Sequence, residues 1–231
     1  MLNKILSAIT LAAVLAVAVG PLAVQAADDP GTWDGLQKVK SKKMDEAYLL
    51  PGADFREYSK VMLDPAEVAF AKNWQREVNR SKSAGARVTD EHAAEIRKAM
   101  SDGLGEIFAK DLGKAGYAIV AAPGPDVLRI TPVLVNVYIN APDTGMSSPG
   151  RSYTYTVEAG EATLGLELRD SGTQQLLGRA VDRRRTGETG RMTWTTSVTN
   201  RAEFERVFKT WSSILVDGLG ALKDASPIQP K

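Results

Sequence analysis

The apolar residues of this chain recur at two spacings. From Val127 the run VLRITPVLVNVYI alternates as a strand does, with successive side chains on opposite faces. Leu128 and Ile130 lead one face before Pro132, and Val133, Val135 and Val137 lead the other after it. A β-bulge produces such a change of face, so the pattern predicts one long strand bent at the proline. SYTYTVEAGEATLGLELRD, residues 152–170, reads as a strand: Leu164, Leu166 and Leu168 point one way, Thr163, Gly165 and Glu167 the other. Asp170-Ser171-Gly172-Thr173 is a hairpin turn, and QQLLGRAVDRRR, ending at Arg185, is the returning strand. YSKVMLD is a further strand that stops at Asp64-Pro65, since proline cannot donate to a ladder. YAIVAAPGPDVLRI reads as strand, turn, strand, with Pro123-Gly124-Pro125-Asp126 joining two antiparallel partners.

The second spacing is helical. Ile96, Met100, Leu104, Ile107, Phe108 and Leu112 make one apolar stripe, with Thr89 or Asp90 as cap and Gly113 or Gly116 at the end. Phe204, Val207, Phe208, Trp211, Leu215 and Leu219 make the strongest stripe, in a helix starting at Asn200 with Glu203 completing a capping box. Phe70 and Trp74 share a face of a short helix within AEVAFAKNWQREV. The order strand, helix, four strands, helix predicts an α+β fold: an antiparallel sheet of about five strands with two main helices packed on one face. Residues 27–57 read as an extended or irregular N-terminal arm tethered by Leu49, Leu50 and Phe55, 58–222 as a single α+β domain, and 223–231 as a flexible tail.

The first 26 residues read as a signal peptide, with Lys4 before the apolar run ILSAITLAAVLAVAV and Val24-Gln25-Ala26 as the cleavage site. Cleavage after Ala26 predicts a periplasmic or secreted protein with no membrane span left. Composition then narrows the chemistry. Lys4 is the only charged residue of the leader, so the remaining basic residues balance the 28 acidic ones. That balance argues against nucleic acid as a partner. There is no cysteine, which excludes disulfides, thiolate metal sites and a lipid-bearing N-terminal cysteine. His92 is the single histidine and sits exposed in the first turn of a helix, so no catalytic triad or multi-histidine metal site is expected. No dinucleotide, Walker, zincin or nucleophile-elbow motif is present. No catalytic, cofactor-binding or metal-ligating residue is assigned, and no cofactor is expected.

Two features carry candidate chemistry. The carboxylate pairs Glu158/Glu161 and Glu167/Asp170 suit a hydrolase of envelope glycan or peptide, provided one member is held protonated. The run Asp182 to Arg185, with Arg179 and Arg191 near it, is either a solvated strand end or a basic patch for a carboxylate- or phosphate-bearing partner. Arg183, Arg184, Arg185 and Trp194 are therefore the candidate contact residues, Trp194 as an aromatic anchor in a polar loop. Polar stretches at 141–152 and 184–198 read as loops beside the sheet. A small-ligand carrier would need a pocket on the order of 300 Å3 between helices and sheet.

Several phrases resemble a family as a set: PGADFREYSKVMLDPAEVAF, PGPDVLRITPVLVNVYINAPD, AGEATLGLELRDS, LLGRAVDRR and TNRAEFERVFKTWSSILVDGL. Together, over residues 48–222, they resemble a bacterial envelope family of unknown function whose members are secreted or lipid-anchored. This chain lacks the lipobox cysteine of the anchored members. The resemblance implies a free periplasmic or outer-envelope protein and carries over no activity and no site residue. The reading is a non-enzymatic envelope protein that binds or scaffolds a partner, an envelope protein or a peptidoglycan component, with the oligomeric state open.

Overall fold

The computed structural model describes residues 32–80, 82–140, 154–156, 160–186, 193–195 and 197–230. Residues 1–31, Glu158, Arg191 and the whole stretch 141–153 lie outside these residues. In chain order the described strands begin with β1 (Thr32–Trp33), β2 (Leu36–Val39), β3 (Glu46–Leu49), β4 (Lys60–Leu63) and β5 (Glu67–Phe70). Helices α1 (Trp74–Asn79) and α2 (Asp90–Lys114) follow. Then come β6 (Ala118–Ile119), β7 (Val127–Ile139), β8 (Thr154–Thr156), β9 (Gly160–Asp170), β10 (Leu176–Thr186), β11 (Thr193–Thr195) and α3 (Ser197–Asp224).

The fold is α+β, as the pattern predicts, but the sheet is larger than about five strands. Nine strands share it in the order β1-β2-β3-β10-β9-β7-β4-β6, with β5 also beside β7. The added strands come largely from residues 32–49, read from sequence as an irregular arm. β2 and β3 are short and lie toward one edge, so they lack the long apolar alternation that marks a central strand. The sheet is mixed, not wholly antiparallel. β4 and β5 run parallel to β7, and β6 runs parallel to β4. The Pro123–Asp126 turn therefore joins no hairpin, because β4 occupies the slot beside β7. Instead Ser171 Oγ clamps that turn, accepting from Gly124 N and donating to Gly124 O, both at 3.0 Å.

The bend in β7 lies beyond Pro132. Leu128, Ile130, Pro132 and Leu134 all stay on the buried face. Pro132 falls between the end of the β4 ladder at Ile130 and the start of the β5 ladder at Val133, where the neighbouring strand is interrupted. The register slips between Val135 and Tyr138. Asn136 takes φ 52°, a left-handed conformation that asparagine tolerates better than most residues. Val137 and Ile139 are buried after the slip.

Both long helices lie on one face of the sheet and against each other. Thr89 caps α2: its Oγ1 accepts from His92 N at 3.3 Å, and His92 Nδ1 accepts from Thr89 N at 3.4 Å. The single histidine thus closes a capping box and is half-buried there. Gly116, at φ 93°, follows the C-terminus of α2. α3 begins at Ser197, so Asn200 lies inside the helix and does not cap it. Residues 67–70 are strand, not helix, yet Phe70 still stacks on Trp74 with ring centroids 3.9 Å apart. Leu104, Phe108 and Leu112 of α2 meet Phe208, Trp211, Leu215 and Leu219 of α3 over Ile130, Leu134 and Leu164 of the sheet. Gly160 lets α3 settle close: a Cβ there would strike the Tyr138 carbonyl and meet the Phe204 ring at 3.1 Å. The last residues pair with residues 52–55: Ile228 N donates to Ala53 O at 2.9 Å and Gly52 N to Ile228 O at 2.7 Å. Among the described residues no helix is long and apolar enough to cross a membrane.

Candidate functional site

Strand alternation divides the arginine run of β10. Residues 182 and 184 face the helices, and 183 and 185 face the other side of the sheet. On that other side Arg183 Nη2 and Arg185 Nε reach Glu161 Oε2 at 2.7 and 3.4 Å. These two are tied to a neighbouring strand, as a solvated strand end would be. The helix side differs. Asp182 is 3% exposed and its Oδ2 accepts from the Trp211 indole Nε1 at 2.7 Å. Arg184 Nε donates to the same oxygen at 2.7 Å. Burying a carboxylate is costly without such partners, and here an indole and a guanidinium supply them.

The loop between β2 and β3 completes the site. Ser41 Oγ accepts from Lys43 N at 3.2 Å and Met44 N at 2.9 Å, which fixes the turn. Lys43 O then accepts from Arg184 Nη2 at 3.3 Å, and Asp45 Oδ2 accepts from Arg183 N at 2.9 Å. The Lys43 ammonium pairs with Asp217 of α3 at 2.7 Å. Two adjoining hollows result. One, of about 290 Å3, is lined by residues 42–45 and 182–185. The other, more open, of about 580 Å3, is lined by Lys42, Lys43, Arg184, Lys209, Thr210, Ser213 and Ile214. Lys42, Lys43 and Arg184 line both. Among the described residues Lys42 and Lys209 form no ion pair, so the cleft keeps an excess of positive charge.

Of the four contact residues predicted from sequence, Arg184 lies in this cleft together with Arg183 and Arg185 at its rim. Trp194 lies in β11, opposite Tyr155 of β8, and its side chain is outside the described residues. The expected loop at 184–198 is shorter than its sequence suggests, because β10 runs to Thr186 and α3 starts at Ser197. Sequence reading missed Lys42, Lys43 and Lys209. The signal was present as the basic run Lys40-Ser41-Lys42-Lys43, set aside with the N-terminal arm.

The pair Glu167/Asp170 takes a different form from the one a hydrolase needs, and Glu158 of the other pair lies outside the described residues. Burial pushes the Glu167 carboxyl up, but donation from Arg169 and Arg179 outweighs it and holds the group below its ordinary value. Burial likewise opposes, and hydrogen bonds from Thr173 and Tyr58 reverse, the shift at Asp170, which also sits low. Both groups favour the ionised form, whereas a general acid must retain its proton.

Residues 26–215 match a protein family described as of unknown function, DUF3313. The chain belongs to that family. The family-level resemblance drawn from its phrases is thereby borne out. No curated protein matches this DUF3313 chain. Solved structures do resemble it. A PelC dodecamer from Paraburkholderia phytofirmans is 14% identical, covering 77% of this chain and 96% of that one, with a TM-score of 0.32. A neuraminyllactose-binding hemagglutinin homologue from Helicobacter pylori is 11% identical over 76% of this chain and 92% of that one, TM-score 0.37. A Xanthomonas campestris protein of family DUF330 is 14% identical over 76% and 91%, TM-score 0.35. Likenesses this distant carry no function across.

Proposed function

We propose that this DUF3313 protein is a non-enzymatic domain of the bacterial cell envelope that binds or scaffolds a partner at the cleft between the β2–β3 loop, β10 and α3. One observation carries the reading. Cationic side chains from three separate elements, Lys42, Arg184 and Lys209, line one hollow, although the leaderless chain has no net positive charge. Concentrating charge of one sign in a cleft favours an oppositely charged partner and speeds its encounter. The leader-like residues 1–26 support export to the periplasm or beyond. The ion pairs of Glu167 and the hydrogen bonds that Asp170 accepts favour the ionised form of both carboxylates, which gives the hydrolase reading no support from that pair. The close-packed helix–sheet interface gives the carrier reading little support.

In-cell photo-crosslinking tests it. A photoreactive residue is placed at position 42 or 209 of the full chain, with position 98 on α2, outside the cleft, as control. A discrete envelope adduct from 42 and 209 but not from 98 is the expected result. Adducts of equal yield from all three positions, or none from the cleft, would overturn the reading.

A further inference from the structure

Building on the cleft as a contact site, the geometry points to its ligand: a phosphate monoester, held by Arg184, Lys42 and Lys209. Arg184 is the pre-set element. A guanidinium carries five N–H groups. Two of them are used, on Asp182 and on the Lys43 carbonyl, and three remain for an oxyanion. Those two contacts fix the plane of the fork, so less freedom is lost when it grips phosphate oxygens.

Charge selects phosphate over carboxylate. Lys42 and Lys209 bring cations to the same groove without a carboxylate partner among the described residues. The nearby acids are engaged: Asp182 with Trp211 and Arg184, Asp45 with Arg183 N, Asp217 with Lys43. Two uncompensated cations match the charge of roughly −1.5 to −2 on a phosphate monoester at neutral pH better than the single charge of a carboxylate. The hollow of about 580 Å3 also exceeds what a lone phosphate fills, and Ile214 on its wall offers an apolar surface to whatever carries the phosphate.

The site contains its own reporter. The Trp211 indole N–H and Arg184 Nε share one oxygen of Asp182. An anion that draws on Arg184 changes that oxygen's hydrogen bond to the indole, and the indole N–H resonance must move. The experiment is a titration of the ¹⁵N-labelled chain with inorganic phosphate and with glucose 6-phosphate, beside acetate and sodium chloride at matched ionic strength. The expected result is a saturable Trp211 indole shift with both phosphates, clearly larger than with acetate or chloride. Lys42→Glu combined with Lys209→Glu, both exposed positions, should weaken it about tenfold or more while the rest of the spectrum is kept. Lys42→Ala alone should weaken it less. Co-sedimentation with phosphatidylcholine vesicles containing phosphatidic acid, but not with phosphatidylcholine alone, would identify a lipid-borne phosphate. Binding of glucose 6-phosphate without sedimentation would identify a soluble one. A phosphate response no larger than that of chloride, or one unchanged in the double variant, would overturn the assignment. Cleft-specific crosslinks that survive such a failure would leave the contact reading in place and remove only the phosphate.

Discussion

Arg183 and Arg185 lie against Glu161 on the face of the sheet away from the helices, whereas Arg184, between them in sequence, turns toward α3 and rests on a buried aspartate. The same contrast runs through the whole sheet. On the helix side Leu128, Ile130, Leu134 and Leu164 are fully or almost fully enclosed. On the other side the rows are polar: Arg129 pairs with Asp64 at 2.8 Å, and Glu167 joins Arg169 and Arg179 at 2.8 and 2.7 Å. The face away from the helices meets its charges with opposite charges from the same or neighbouring strands and the loop after β4. The helix side has few charges, and where α3 meets the β2–β3 loop they are left in excess. Identical residues one position apart therefore differ in role: one pair closes a ladder, and the other arginine opens onto a cleft.

The largest effect should come from the centre of the helix side. Trp211 is fully buried and carries the indole that satisfies Asp182. Trp211→Ala should cost about 3–5 kcal/mol in denaturant unfolding. Asp182→Ala strands both the indole N–H and the Arg184 guanidinium, and should cost about 2–3 kcal/mol. Arg184→Ala should cost less than Asp182→Ala. The double change Arg183→Ala with Arg185→Ala should stay within about 1 kcal/mol, because those pairs are solvent-screened. If all three arginines proved equal, the division of β10 by its two faces would be wrong.

The face away from the helices sharpens the comparison through pH. Glu167 is held below its ordinary value of 4.5 by Arg169 and Arg179 acting against burial. A carboxylate lowered in the folded state stabilises fully above its unfolded value and loses that contribution as pH falls through the folded one. Glu167→Gln should therefore lower the melting temperature at neutral pH, and its melting temperature should approach that of the unmodified protein as pH falls below 4.5. A constant gap across that range would mean the ion pair contributes nothing. The smallest stability effect belongs to the cleft: Lys42→Glu with Lys209→Glu should change unfolding free energy by no more than about 0.5 kcal/mol, since both sites are exposed surface positions.

The parts legible in sequence were those where one physical pattern runs long enough to dominate. The stripes of α2 and α3 and the unbroken alternation of β9 each repeat over many residues and mark a buried face. The hairpin at Asp170–Gln175 carries its own turn chemistry, with Asp170 Oδ1 accepting from Thr173 N and Oγ1. Four-residue strands such as β2 and β3 hold two residues per face, too few to establish a period. The parallel placement of β4 depends on a distant ladder along Val127–Ile130, which no local pattern encodes. At Asn136 the bulge comes from backbone conformation, while the proline four residues earlier offered the louder but misleading cue. The cleft was half visible: the arginines stood out as a run, but Lys42 and Lys209 lie 167 positions apart and meet only through the topology.

Thermal unfolding with and without phosphate tests most directly whether the excess charge of the cleft is a ligand site. A ligand that binds only the folded state raises its stability in proportion to the logarithm of its concentration over Kd. The protein should melt at a higher temperature in phosphate than in sodium chloride of equal ionic strength, while the Lys42→Glu, Lys209→Glu variant starts from the same melting temperature and gains only the general salting effect. An equal rise in both proteins would contradict the account, because the stabilisation would then owe nothing to the cleft.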